Sequence, residues 1–293
     1  MKFHTLTLAL ALASYNDAHA ATVSAPSLQW TVLQGNYDFI ADQQTGQPPG
    51  DIVGVGTNYG LFVTHNDNGA ASKTDGTFGF RLRLDGPDSQ GNPSQFQRAA
   101  WLGIDADFND TLDVFIGVNR SGQANSLGIF APGTGANNSP STTTISSTAY
   151  RSYVIGTSTF DYRPVNFLTD GGTTNDVNSA VSKPEPDYYV SVMVDFADIV
   201  SFLSTKGILI NDSSPLRFVA ATSTQGNAFN QDIGGVNGGL NSTVLWSQTG
   251  AYTAFVTANG NITIPEPAPA LLLLFGLVAG LFVRTRSGTI PLN

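Results

Sequence analysis

The chain has 293 residues, with 22 acidic against 13 basic side chains and no cysteine. A net charge of −9 repels nucleic acid and argues against it as a partner. The missing cysteines exclude disulfides and thiolate metal sites, so the fold has to be held by its core, by bound metal, or by both.

In chain order, residues 1–20 have the form of a secretory signal peptide: Lys2, a short apolar core from Leu6 to Ala13, and a small-x-small cleavage site at Ala18-His19-Ala20. Export through the Sec machinery, with a mature start at Ala21, is the expectation. The body, 21–263, is long enough for one large domain. It keeps 20 of the 22 acidic and 10 of the 13 basic residues, and all but one of those acids, Glu185, are Asp. Asp, Asn, Gly and Ser favour turns, while Glu and Lys favour helices, so this composition points to an all-β body.

Short apolar and aromatic segments alternate with turn clusters, as in a jelly-roll-like β-sandwich. The expected strands are Leu28–Leu33, Tyr59–Thr64, Phe78–Leu84, Ala99–Ile104, Leu112–Val118, Leu127–Phe130, Tyr150–Ile155, Tyr188–Val194, Leu216–Thr222 and Thr243–Trp246. In Phe78–Leu84 the apolar residues share one face and Arg81 and Arg83 the other, which reads as a half-buried strand with solvated arginines. One short helix is expected over Phe196–Thr205, with Asp195 as N-cap and Gly207 as the stop. Its apolar stripe (Phe196, Ile199, Val200, Leu203) belongs to the core. Long loops are expected at 131–149, 169–186 and 225–239. The strand–helix–strand order from Tyr188 to Thr222 is similar to the end of some carbohydrate-binding and DOMON-like sandwiches.

The sequence nominates one metal site. Asp105-Ala-Asp-Phe-Asn-Asp-Thr-Leu-Asp113 places oxygen donors at relative positions 1, 3, 5, 6 and 9, and calcium takes six to eight oxygens. The segment resembles the Asp-x-Asx-x-Asp-Gly-x-x-Asp calcium loops of exported bacterial proteins. That resemblance implies side-chain ligation by Asp105, Asp107, Asn109 and Asp113, and carbonyl ligation by Thr111. Asp110 stands where the pattern has glycine, and Ile116 where an EF-hand has glutamate. The alternative is a polar hairpin turn, for which Asp and Asn are the ordinary residues.

Nothing marks a catalytic centre. His65 is the one histidine of the body, and no nucleophile-elbow motif accompanies it. Gly54-Val-Gly-Thr-Asn-Tyr-Gly60 lacks the spacing of a phosphate or dinucleotide loop and reads as a turn.

At the C-terminus, Pro265-Glu266-Pro267 precedes an uncharged apolar run, 268–283, and then Arg284 and Arg286. The run would make a helix of roughly 24 Å, short for a hydrocarbon core of about 30 Å. The two arginines favour the cytoplasmic side, placing the body outside. Tripeptide, span and basic end in this order resemble the PEP-CTERM sorting signal, in a tail at 264–293. The resemblance implies processing by an exosortase, a transient or retained membrane anchor, and a destination at the cell surface or in an exopolysaccharide matrix. A non-catalytic, biofilm-associated role follows from it, with a secreted glycan-acting hydrolase as the alternative.

Overall fold

The computed structural model describes residues 24–33, 37–44, 47–69, 72–88, 95–136, 144–178, 185–237 and 244–261. The expected signal peptide with Ala18 and Ala20 lies outside these residues, as does the tail with Pro265, Glu266, Pro267, the apolar run, Arg284 and Arg286. Among the described residues no helix is long and apolar enough to cross a membrane.

Among the described residues eleven strands form two antiparallel sheets, consistent with a β-sandwich. They are β1 (Thr31–Val32), β2 (Leu61–Asn66), β3 (Thr77–Leu84), β4 (Ala99–Asp105), β5 (Val114–Asn119), β6 (Ser126–Pro132), β7 (Ile145–Tyr153), β8 (Phe160–Pro164), β9 (Tyr188–Asp195), β10 (Arg217–Ser223) and β11 (Asp232–Ile233). The first sheet runs β1-β2-β3-β9-β8 and the second β11-β10-β4-β5-β6-β7. Among the described residues three short α-helices punctuate them: α1 (Phe167–Asp170), α2 (Phe196–Ser204) and α3 (Trp246–Thr249).

The period-2 pattern decides which side chains meet between the sheets. Phe78, Phe80, Leu82 and Leu84 of β3 and Val190, Val192 and Val194 of β9 pack with Leu102 and Ile104 of β4, Ile116 and Val118 of β5 and Phe218 of β10 in one buried cluster. At about 25 cal/mol per Å² of apolar surface, this layer is the main source of stability. The expected helix forms as α2, and Asp195 Oδ1 accepts the Ala197 N–H at its N-terminus. Its apolar stripe closes one margin of the same cluster through Phe196, Ile199, Phe202 and Leu203.

Both sheets are also covered on the outside. On the second, Trp101, Phe115, Phe130 and Val219 lie under Phe229, Ile233, Val236 and Trp246 from the later segments. Gly117 makes this packing possible, since a Cβ there would sit 2.2 Å from the Trp101 ring. On the first sheet the cover comes from the N-terminal segment, through Ala25, Leu28 and Trp30.

That cover corrects one expectation. Arg81 and Arg83 are not solvated: they are 5% and 0% exposed. Arg81 is stacked between Trp30 and Tyr189, and Arg83 is paired with Asp187. Strand alternation specifies two faces but not whether a distant segment covers the second.

Other differences are local. The segment expected as a final strand to Trp246 instead starts α3 at that residue, with Gly250 in left-handed geometry ending it. The 131–149 loop is shorter than expected, because β6 extends to Pro132 and β7 begins at Ile145. β8 is an edge strand whose Asp161 and Arg163 hid its short apolar pattern, and β11 lies inside the expected 225–239 loop.

Candidate metal centres and a surface groove

Among the described residues, three groups of aspartates bring carboxylate oxygens within 4.8 Å of one another, close enough to share a metal ion: Asp105, Asp107 and Asp113; Asp85, Asp176 and Asp187; and Asp38, Asp42 and Asp232.

The first is the loop nominated by the sequence, and it joins β4 to β5 as a hairpin connection. Asp105 is the last residue of β4 and wholly buried, while Asp107, Asn109 and Asp110 are exposed. The loop is closed by its own side chains. Asp105 Oδ1 accepts the Phe108 N–H at 2.8 Å, Asp113 Oδ2 the Ala106 N–H at 2.9 Å, and Asn109 Oδ1 the Thr111 N–H at 2.8 Å. Asp107 Oδ2 accepts from Asn109 Nδ2 at 3.0 Å. Left-handed geometry falls at Phe108 and Asp110, the latter being the position that holds glycine in calcium loops. Burial pushes the Asp113 carboxyl up to about 6 against the Ala106 N–H that favours its charged form.

The sequence reading did not include Arg217. β10 pairs with β4 so that Arg217 stands directly across from Asp105. Its guanidinium bonds Asp105 Oδ2 and, at 2.7 Å, Asp110 Oδ1, with Tyr252 and Phe255 against its face. A cation built into the chain therefore neutralises this loop.

The second group has the same device. Arg83 Nε donates to Asp187 Oδ2 at 2.5 Å and Nη2 to the Thr174 carbonyl at 2.9 Å. Asp85 Oδ2 accepts from Asn178 Nδ2. Burial raises both Asp187 and Asp85 to about 6, in the first case despite Arg83.

The third group differs. Residues 37–44 and 47–54 lie on a strap that bridges to β3 through Ile52 and Leu84, and contacts the second sheet through the Gln44 N–H on the Gln231 carbonyl. Asp38, Asp42 and Asp51 lie on the strap and Asp232 on β11. Asp232 Oδ2 accepts the Ile52 N–H at 2.6 Å, and Asp38 Oδ1 accepts from Phe39 and Gly235. Burial, then neighbouring carboxylates, hold Asp38 well above the usual range. Burial also raises Asp232, with Asp51 and Asp42 adding to it, and lifts Asp51 to about 7. No ion pair joins Asp38, Asp51 or Asp232 to a basic side chain among the described residues. Sequence reasoning missed this group because its members are up to 194 residues apart and none sits in a recognisable pattern.

A groove of about 460 Å³ opens on the outer face of the first sheet, lined by Trp30, Tyr59, Arg81, Arg163, Asp170 and Tyr189 among others. The Arg81 guanidinium lies 4.2 Å from the Trp30 ring and 4.9 Å from the Tyr189 ring. Arg163 is held on Asp170 by two hydrogen bonds of 2.6 and 2.8 Å. Of the three tryptophans, Trp30 is partly exposed and lines this groove, whereas Trp101 and Trp246 are core. His65 is half-buried, with Nε2 on the Asp75 carbonyl at 2.9 Å and its ring against Phe196.

No family model matches the chain, and neither a curated protein nor a solved structure matches it.

Proposed function

We propose that this is an exported, non-catalytic cell-surface or matrix protein that is processed by an exosortase, binds exopolysaccharide and uses calcium. The sorting step rests on the order Pro265-Glu266-Pro267, apolar run, Arg284 and Arg286. The observation that carries the glycan reading is the groove of Trp30, Tyr59, Arg81 and Arg163. Aromatic faces supply stacking surface for sugar rings, and arginines supply forked donors for hydroxyls or carboxylates. Calcium binds the Asp105–Asp113 loop through Asp105, Asp107, Asn109, Thr111 and Asp113. There it competes with Arg217 for Asp105, so the affinity is modest.

Co-sedimentation of the protein with the exopolysaccharide of its own producer, in calcium and in chelator, tests this. Binding by the parent and a loss of about tenfold in Trp30→Ala is the expected result, since a stacked ring contributes on the order of 1–2 kcal/mol. Absence of binding in both conditions overturns the glycan reading. For the sorting step, replacing Pro265-Glu266-Pro267 by alanines should leave the unprocessed chain in the membrane fraction. Normal release of that variant overturns the exosortase assignment.

A further inference from the structure

We propose that Asp38, Asp42 and Asp232, supported by Asp51, form a structural calcium site that fastens the strap segments 37–44 and 47–54 to the β10–β11 end of the second sheet. This site is separate from the Asp105–Asp113 loop and does not depend on it.

The first argument is charge. Three carboxylates converge within 4.8 Å, and a fourth, Asp51, acts on Asp42 and Asp232 electrostatically. The other two aspartate groups have a guanidinium in place, Arg217 in one and Arg83 in the other. Here no basic side chain is paired with Asp38, Asp51 or Asp232 among the described residues. Buried like charges at such distances need either protons or a cation.

The second argument is unused ligand atoms. Asp38 is 5% exposed, and its Oδ2 has no hydrogen-bond partner among the described residues, although Oδ1 has two. Asp51 is 0% exposed, and its Oδ1 is also without a partner while Oδ2 accepts the Ala41 N–H. Gln43 Oε1, from the same strap, is buried in the same condition. Buried oxygens left without donors are costly, and a metal ion removes that cost for several at once.

The third argument is chemistry. Every donor is an oxygen from a carboxylate or amide, which suits a hard cation, and irregular sets of several carboxylates suit calcium better than the strict octahedron of magnesium. The strap meets the first sheet at the Ile52–Leu84 bridge and the second at Asp232, Gln231 and Thr222 Oγ1, which donates to the Gly50 carbonyl. An ion there ties the two sheets at one seam.

The test compares thermal unfolding and calcium titration calorimetry for the full-length chain in detergent, as parent, Asp38→Asn, Asp232→Asn and Asp107→Asn. Asp38→Asn preserves Oδ1 and its two hydrogen bonds, so folding is retained. Calcium should raise the parent melting temperature over chelator. Asp38→Asn and Asp232→Asn should bind calcium at least ~10-fold more weakly and lose most of that rise. In chelator Asp38→Asn should melt at or above the parent, because one unbalanced charge is gone. Asp107→Asn should keep the tight event. A parent indifferent to calcium overturns the proposal, as does a tight event lost in Asp107→Asn but retained in Asp38→Asn. A Asp38→Asn protein that melts below the parent in chelator and equally below it in calcium assigns Asp38 a purely structural role, which also overturns it.

Discussion

The Asp105–Asp113 loop and the Asp38–Asp42–Asp232 group contain the same chemistry under opposite electrostatic arrangements. In the loop, strand register sets Arg217 across from Asp105, and local N–H donors occupy most of the remaining carboxylate oxygens. In the strap group the acids come from two segments far apart in sequence, and buried oxygens of Asp38 and Asp51 are left over. Both sets resemble a cation site when residues are counted. The counter-charge separates them: the loop has its cation in the chain, whereas Asp38 and Asp232 are paired with no basic side chain among the described residues.

The largest test of this contrast uses the second group, Asp85, Asp176 and Asp187, in which the internal cation is most deeply buried. Arg83→Ala strands Asp187 without its partner at a position where both side chains are fully buried. Removal of one member of such a pair costs about 3–5 kcal/mol. Urea unfolding in chelator should show a loss of that size, and calcium should leave the parent pair unaffected. A loss below about 1 kcal/mol would mean that a built-in arginine is not what balances these clusters.

Arg217→Gln is the intermediate case. It leaves Asp105 buried with the Phe108 N–H as a remaining donor and should lower stability in chelator by about 2 kcal/mol, the scale of a charge-assisted hydrogen bond. Arg217 competes with the ion, so the same variant should bind calcium more tightly at the loop and regain much of the loss. Calorimetry of parent and variant reads both effects. A variant with the stability loss and no gain in calcium binding makes the loop a polar hairpin turn whose one cation is Arg217.

These cases also define what the sequence made legible. β3, β4, β9 and α2 were readable because their information is local: a period of two in Phe78–Leu84, or an N-cap followed by a helical stripe after Asp195. The β4–β5 loop was readable as a loop for the same reason. Arg217 opposite Asp105 was not, because strand pairing across 112 residues is decided by the sheet as a whole. The burial of Arg81 and Arg83 was hidden in the same way, since it depends on the segment around Trp30 returning to cover a face that alternation marks as polar. The strap group is the extreme case. Asp38, Asp42, Asp51 and Asp232 look like turn residues in a chain rich in them, and convergence alone distinguishes them.

The smallest expected effect is at Asp107. It is exposed, and its carboxylate accepts from Asn109 within the loop, at 3.3 and 3.0 Å. Asn at this position keeps an acceptor for the backbone N–H, so unfolding in chelator should change by less than about 0.5 kcal/mol. Its effect should appear in calcium alone, as a weaker low-affinity event with the tight event untouched. The pairing of that result with Asp38→Asn gives the comparison its sharpest form. If both variants weakened the same event, the two groups would be sharing one ion or one conformational change, and counter-charge would not be what distinguishes them. If each weakens its own event, the chain carries two calcium sites graded by whether an arginine already stands in them.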